Sequence, residues 1–317
     1  VTFLVPERLE GTSLSKINLF LSIDGLLPDG RHELSTWFQA IDYGDDISVE
    51  SSADLDLVCE PSDLCAMHDN LAWKAADLLR SESGVSVGAR IALRKNVPHG
   101  AGLGGGSGDA ALVLHLCNRL WGLDWPSSRL EVLARKLGAD VPFLVRGGAA
   151  WARGAGDLLE DAPALHPDVN ILVATPPMPV NTGWAYRTWD EMHPSSGLPL
   201  GGRGKSATAD ILTRLKECQS GTTLPVLRSQ ALFQSENLRD SLTNSFEEVV
   251  YPHFPEIGQV RHEMGQAGAA ASLLSGSGSS VFGLFEGRTA PGTILREWER
   301  RKIRWRWCRP AAGAPRE

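Results

Sequence analysis

Five glycines fall within the seven positions from Gly100 to Gly106, between an apolar run ending in Val97-Pro98 and the helix-forming segment Ala110-Ala111-Leu112-Val113-Leu114. Glycine loses more conformational freedom on folding than any other residue. Such density is therefore retained where the backbone must take positive φ or come close to a ligand. Downstream, Leu112, His115, Leu116 and Leu120 recur at helical spacing. Ser107 and Asp109 are candidate N-caps, so the spacing predicts a helix beginning near Ser107. Upstream, residues 85–95 read as a strand delivering the chain into the loop. A glycine loop that feeds a helix start presents free N–H groups and the positive end of the helix dipole, which suits a phosphate. A flexible Gly-Ser linker would lack the apolar flanks.

The loop is not of the Walker A kind, because no Gly-Lys-Ser/Thr closes it. Gly204-Lys205-Ser206 elsewhere has Pro199 where that loop needs glycine, and no strand leads in. The register Gly100, Gly102, Gly105 fits G-x-G-x-x-G, which alone is weak. A length of 317 residues allows two domains, and a net charge of −7 argues against a nucleic-acid partner. Five scattered cysteines without a C-x-x-C support neither a disulfide framework nor a zinc site, and suit a reducing cytoplasm. No apolar run approaches a membrane span, and no signal-peptide pattern opens the chain, so no membrane association is expected.

Along the chain, Lys16 and Asn18 lie two apart on a predicted strand and so share one face. Pro28-Asp29-Gly30 predicts a turn, followed by Arg31 and His32. Strands are expected at 47–50 and 55–58. An amphipathic helix is expected with Asp69 as N-cap and Leu71, Ala75, Leu78 and Leu79 buried. A further helix is expected from Pro126 to near Gly138. Asp140 follows, ahead of an apolar segment read as a strand start, where local sequence alone reads it as a turn or capping aspartate. A boundary is placed near residue 160, a buried strand at 170–174 and a Pro/Gly/Ser-rich surface loop at 193–208. Asn244-Ser245-Phe246-Glu247 precedes helical patterning, which resumes from Pro255 to Gly268. An apolar strand, a Gly-Ser turn and a second apolar strand span 269–285. The basic, Trp-rich tail from Arg296 to Arg309 reads as a packed helix or strand with a solvated charged face.

Taken whole, P-x-G-A-G-L-G-G-G-S-x-D-A-A from Pro98 to Ala111 resembles the second motif of the GHMP small-molecule kinases. Lys16 to Asp45 is similar to that family's A-K-I-N-L-F-L, P-D-G-Y-H and F-Q-x-I-D strings. Leu137 to Phe143 (L-G-A-D-V-P-F) resembles its catalytic-aspartate motif, Val180 to Tyr186 its V-S-T-x-x-A-Y segment, and Ser275 to Phe285 its third motif. The resemblance covers about residues 14–286 and narrows to the branch acting on a cytidine diphosphate-linked methylerythritol.

It implies an α+β, two-domain GHMP kinase fold with an interdomain active-site cleft. Residues 1–160 would form the ATP-binding domain and 161–317 the domain completing the cleft. The implied activity is ATP-dependent phosphorylation of the 2-hydroxyl of that substrate, with ATP and Mg²⁺ required and a monomeric or homodimeric enzyme. By family position Lys16 and Asp140 are catalytic, and Asn70, Lys95, Pro98, Gly100, Ala101, Gly102, Leu103, Gly104, Gly105, Gly106 and Ser107 hold ATP. Ser107 also faces the metal, and Asn18, Arg31, His32 and Thr182 face the acceptor. Two positions depart from the pattern, Arg31 in place of tyrosine and Gly108 in place of serine. Alternatives are a GHMP kinase with a mevalonate- or homoserine-like acceptor, or a non-catalytic nucleotide-binding protein on the same fold.

Overall fold

In the computed structural model, residues 8–62, 66–194, 208–211, 213, 226–227, 235–287 and 292–315 are described. Gly204-Lys205-Ser206 and most of the 193–208 loop lie outside them.

Among the described residues, three four-stranded sheets organise the fold. The first has the order β1 (Arg8–Thr12), β4 (Asp46–Ser52), β6 (Gly88–Arg94), β5 (Asp56–Glu60), antiparallel except for the parallel β5–β6 pair. The second is the antiparallel sheet β2 (Ser15–Leu26), β3 (His32–Ile41), β7 (Ala149–Arg153), β8 (Leu158–Asp161). The third is β12 (Ala271–Leu274), β13 (Val281–Phe285), β10 (Asn170–Thr175), β14 (Arg304–Cys308), also antiparallel. A short parallel pair joins β9 (Ala164–Leu165) to β11 (Val226–Leu227).

The apolar face of β4 and β6 (Ile47, Val49, Ile91, Leu93) is covered by helices α1 (Leu71–Ser83) and α2 (Gly105–Leu120). Beside them pack α3 (Ser127–Ala134) and α4 (Val141–Arg146). Full burial of each leucine on α2, such as Leu112 and Leu116, contributes about 2 kcal/mol. The second and third sheets meet face to face. Ile171 and Val173 of β10 join Ile17, Leu19 and Trp37 in one core, and the alternate Leu172 and Ala174 join Trp189, Val260 and Met264 in another. The tail forms helix Gly292–Arg300 and edge strand β14, with Trp298 fully buried.

Strand β2 is buried on both faces from Ser15 to Gly25. One face enters a core, and the other carries Lys16 and Asn18 toward the glycine loop, which is why its sequence alternates only in part.

Several element boundaries differ from expectation. The N-cap of α1 is Asn70, whose side chain accepts from the Ala72 N–H at 2.9 Å, while Asp69 sits in a preceding 3₁₀ turn. The helix is rotated accordingly, burying Ala72, Ala75, Ala76 and Leu79, with Leu71 and Leu78 half-buried. Helix α2 starts two residues before Ser107. Gly104 is its cap at φ +68, and no side chain caps its first-turn N–H groups, so Ser107 and Asp109 lie inside it. Helix α3 stops short of Gly138, at Ala134. After Asp140 the apolar segment forms α4 where a strand was expected, because Pro142 fits a first helical turn and presets φ there.

Candidate active site

Asp140 precedes α4 and reaches toward β2. Its Oδ2 lies 3.8 Å from Lys16 Nζ. Lys16 is 5% exposed at its side chain and Asp140 31%, so the ammonium is sunk while the carboxylate opens to the cleft. Burial pulls the Lys16 ammonium below the ordinary lysine range, and Asp140 works against that. At this separation the attraction is about 4 kcal/mol for an effective dielectric near 20, offset by the cost of burying the charge. Lys16 Nζ also donates to Asn18 Oδ1 at 2.8 Å and lies 5.5 Å over the Phe38 ring. Asn18 Nδ2 donates to Thr36 Oγ1, and that hydroxyl donates to the Phe20 carbonyl, so the carboxamide has a fixed orientation.

Three distant stretches are bonded together around this pair. The Lys16 N–H donates to the Leu103 carbonyl at 2.8 Å, and the Ser280 N–H to the Ala101 carbonyl at 3.1 Å. Ser275 Oγ donates to the Gly102 carbonyl at 2.9 Å. Gly102, at φ +79, has no room for a side chain, since a Cβ there would lie 2.0 Å from the Ser275 carbonyl oxygen. A Cβ on Gly104 would lie 3.4 Å from Asp140 Oδ2, so the loop passes directly over the carboxylate. Ser107 is half-buried in the first turn of α2, where the uncapped N–H groups can receive an anion. Gly108 turns the other way. A Cβ on it would meet the Leu14 carbonyl oxygen at 1.9 Å, so the missing serine reflects close backbone packing.

Below the loop, Lys95 is 9% exposed and its ammonium is gripped between Asp45 and Asp109, the latter at 2.6 Å. Its charge is therefore neutralised by protein carboxylates. Burial works to lower its proton affinity, but Asp109 and Asp45 more than offset this and raise it. Asp45 Oδ1 accepts from the Val97 N–H at 2.7 Å, fixing the entry to the glycine loop. Burial pushes the Asp109 carboxyl up to about 7, with Lys95 opposing and Asp45 adding to the rise. An unfolded aspartate sits near 3.8, so this group adds stability as pH falls from above 7 toward 4, and that contribution is lost as pH rises through about 7. Asp109→Asn imitates the protonated acid and is expected to flatten that slope. Tm measured from pH 5 to 8.5 for both proteins checks this, and parallel declines would contradict it.

On the far part of β3 and on α5 (Thr182–Met192), His32 Nε2 is 2.8 Å from Asp190 Oδ1, and the imidazole stacks on Tyr186 at 4.3 Å between ring centroids. Burial, with Asp140 adding, pushes the Tyr186 phenol up to about 12, so it stays a neutral hydroxyl. Thr182 opens α5 (Thr182–Met192), its hydroxyl 2.8 Å from that of Ser277. Arg31 is exposed and pairs with Asp29 of its own turn at 2.8 Å. A cleft of about 200 Å³ joins Lys16, Asn18, Gly104, Asp140, Thr182 and Tyr186. Larger cavities of about 460 and 400 Å³ lie over the first sheet and beside the C-terminal tail, but neither contains the lysine–carboxylate pair.

Comparison with known proteins decides what this arrangement belongs to. The profile for the GHMP kinases N terminal domain matches residues 70–148, and that for the GHMP kinases C terminal region matches 228–304. A 4-diphosphocytidyl-2-C-methyl-D-erythritol kinase of Chlorobium phaeobacteroides (strain BS1) is 38% identical over 281 residues, 88% of this chain and 90% of that protein. A crystal structure of 4-(cytidine 5'-diphospho)-2C-methyl-D-erythritol kinase is 33% identical with a TM-score of 0.68, covering 96% of this chain and 100% of that one. The chain belongs to the GHMP kinases. A homoserine kinase of Cytophaga hutchinsonii at 16% identity has a TM-score of 0.71 and covers 100% of this chain and 99% of its own, which reports the shared fold alone.

As a GHMP kinase the protein takes ATP as phosphoryl donor. Of the residues expected to bind, Lys16, Asn18, Asp140, Thr182, Gly102 and Gly104 line one cleft. His32 reaches it through Tyr186. Arg31 and Lys95 are engaged with protein carboxylates, and the Asn70 carboxamide oxygen caps α1. Asp45, Asp109, Asp190 and Asn244 are partners that the sequence does not signal. Each meets a group far away in the chain, and no local spacing signals such a pairing. Among the described residues no helix is long and apolar enough to cross a membrane, and no three His, Cys, Asp or Glu side chains cluster to hold a metal.

Proposed function

We propose that this kinase transfers the γ-phosphoryl group of ATP to the 2-hydroxyl of 4-diphosphocytidyl-2-C-methyl-D-erythritol. The observation that carries the reading is the Lys16–Asp140 pair, 3.8 Å apart beneath the glycine loop, in a chain that matches kinases of that name over most of its length. Phosphoryl transfer asks the protein for position and charge neutralisation more than for covalent chemistry. In this reading the triphosphate lies along Gly100–Ser107, at the uncapped start of α2. Asp140 orients the acceptor hydroxyl and accepts its proton, and Lys16 supports charge on the transferring group. Residues 1–160 and 161–317 serve as the two walls of the cleft. The cytidine end lies toward His32 and Tyr186, with Arg31 at its edge and Asn18 and Thr182 nearer the reacting hydroxyl.

Mg²⁺ normally keeps several waters and takes few protein ligands beyond nucleotide phosphates, and half-buried Ser107 in the first turn of α2 offers one hydroxyl beside the proposed phosphate path. Here the Ser107 hydroxyl would help hold it. Bound there, the ion would neutralise charge on the β- and γ-phosphates.

The test is ADP release with the cytidine substrate, mevalonate, homoserine and galactose as acceptors. Turnover is expected with the first alone. Turnover with mevalonate or homoserine instead would favour that acceptor, and ATP binding with no turnover on any would favour a non-catalytic role.

A further inference from the structure

The segment Asn244-Ser245-Phe246-Glu247 has no part in the mechanism above, yet Asn244 is 3% exposed and fully engaged. Its Nδ2 donates to two carbonyls, Leu274 at 2.9 Å and Gly276 at 2.8 Å, and its Oδ1 accepts from the Phe246 N–H at 2.9 Å. The last bond fixes which end of the carboxamide faces the turn after β12. On the other side of Gly276, the N–H donates to Asn18 Oδ1 at 2.9 Å, the same oxygen that receives the Lys16 ammonium. Two carboxamides therefore clamp one glycine residue.

Gly276 is also the wall behind the ammonium. It stands at φ +54, and a Cβ on it would lie 3.2 Å from Lys16 Nζ and 3.1 Å from the Gly102 carbonyl oxygen. Asn244 is tied to β2 as well. The Leu21 N–H donates to the Thr243 carbonyl at 2.8 Å, and the Ser245 N–H to the Leu21 carbonyl at 2.9 Å. Glu247 adds a parallel anchor, accepting from the Leu274 N–H at 2.9 Å and from the Tyr251 hydroxyl at 3.1 Å. Asn244 thus joins the strand that carries Lys16 to the turn that backs it.

We infer that Asn244 is a positioning residue for phosphoryl transfer, holding the Gly276 turn so that the Lys16 ammonium keeps its alignment with Asp140. The inference rests on the functional reading above. Misplacement of a reacting group by about 1 Å costs on the order of 100-fold in rate, so loss of the clamp should be read in kcat.

Asn244→Asp keeps the shape but turns a carboxylate oxygen toward two carbonyls. At pH 8 it is expected to lower kcat about 100-fold, with ATP affinity and acceptor KM within about threefold of wild type. A protonated Asp recovers one O–H donor, so the variant-to-wild-type ratio of kcat should climb about tenfold or more between pH 8 and 5.5. A purely structural role would give neither the split between kcat and KM nor that rise. Asn244→Ser, which keeps a single donor, should fall between the two. A kcat within about threefold of wild type in Asn244→Asp, or a flat ratio across pH, overturns the inference. Should Asn244→Asp not fold, Asn244→Ser decides by the same kcat threshold, and failure of both to fold makes the residue a structural strut and overturns it too. Wild-type turnover is measured first. If the cytidine substrate is not consumed, the functional reading alone fails, and the ratio is then read with whichever acceptor is consumed, or with ATP hydrolysis.

Discussion

Asp140→Asn is expected to lower turnover by roughly two to four orders of magnitude while ATP affinity stays within a few-fold of wild type. Asparagine preserves size and one acceptor oxygen but removes both the proton acceptor and the negative charge. ATP affinity is expected to be spared because, in the proposed reading, the phosphates are held by backbone N–H groups at the start of α2 rather than by the Asp140 carboxylate. A second consequence concerns pH. Burial already lowers the proton affinity of Lys16, and Asp140 is the neighbour that opposes it. Without that neighbour the ammonium gives up its proton at lower pH, so the alkaline limb of the residual activity should move down relative to wild type. Steady-state rates across pH 6 to 10 read both effects. Near-normal turnover would remove Asp140 from the mechanism, and an unmoved alkaline limb would uncouple it from Lys16.

Gly102→Ala should weaken ATP binding by about 100-fold or more, although it adds one methyl group. Two penalties combine. The residue sits at φ +79, where a Cβ is strained, and that Cβ would lie 2.0 Å from the Ser275 carbonyl oxygen and 3.0 Å from its carbon. The obstacle is backbone, which no rotamer change relieves. The loop has to lift, breaking the bond from Ser275 Oγ to the Gly102 carbonyl and disturbing its contacts beside Lys16. Gly100→Ala is the control. Gly100 has a similar φ of +66 but open space around its Cβ position, so it suffers the strain without the collision and should lose far less affinity. Titration calorimetry with ATP separates them, and equal losses would show that conformational strain alone, rather than contact with Ser275, governs the loop.

Much of this site is legible in sequence because its chemistry is carried by short motifs. The glycine density marked the loop, a spacing of two put Lys16 and Asn18 on one face, and the L-G-A-D-V-P-F string marked Asp140 against its local reading as a turn. Element ends were less legible. An N-cap is normally a side-chain oxygen, and α2 instead begins at a left-handed glycine, which carries none. The segment after Asp140 is apolar throughout, and a short apolar run does not distinguish strand from helix by period. The hidden partners were the least legible. Nothing near Lys95 in the sequence signals that Asp45 and Asp109 close on it, and Asn244 is an ordinary helix-leading asparagine until the turn after β12 folds back onto it.

The contact between Gly108 and the Leu14 carbonyl has a bearing on how this sequence can change. A serine at this position would need α2 and the backbone at Leu14 to stand farther apart. Here the two segments lie so close that a serine, by itself, drives a methylene into a carbonyl oxygen. A change to serine at position 108 therefore meets a backbone collision unless the chain near Leu14 also moves. A designer who averages the family and writes serine at 108 would be importing the answer to a neighbourhood this chain does not have.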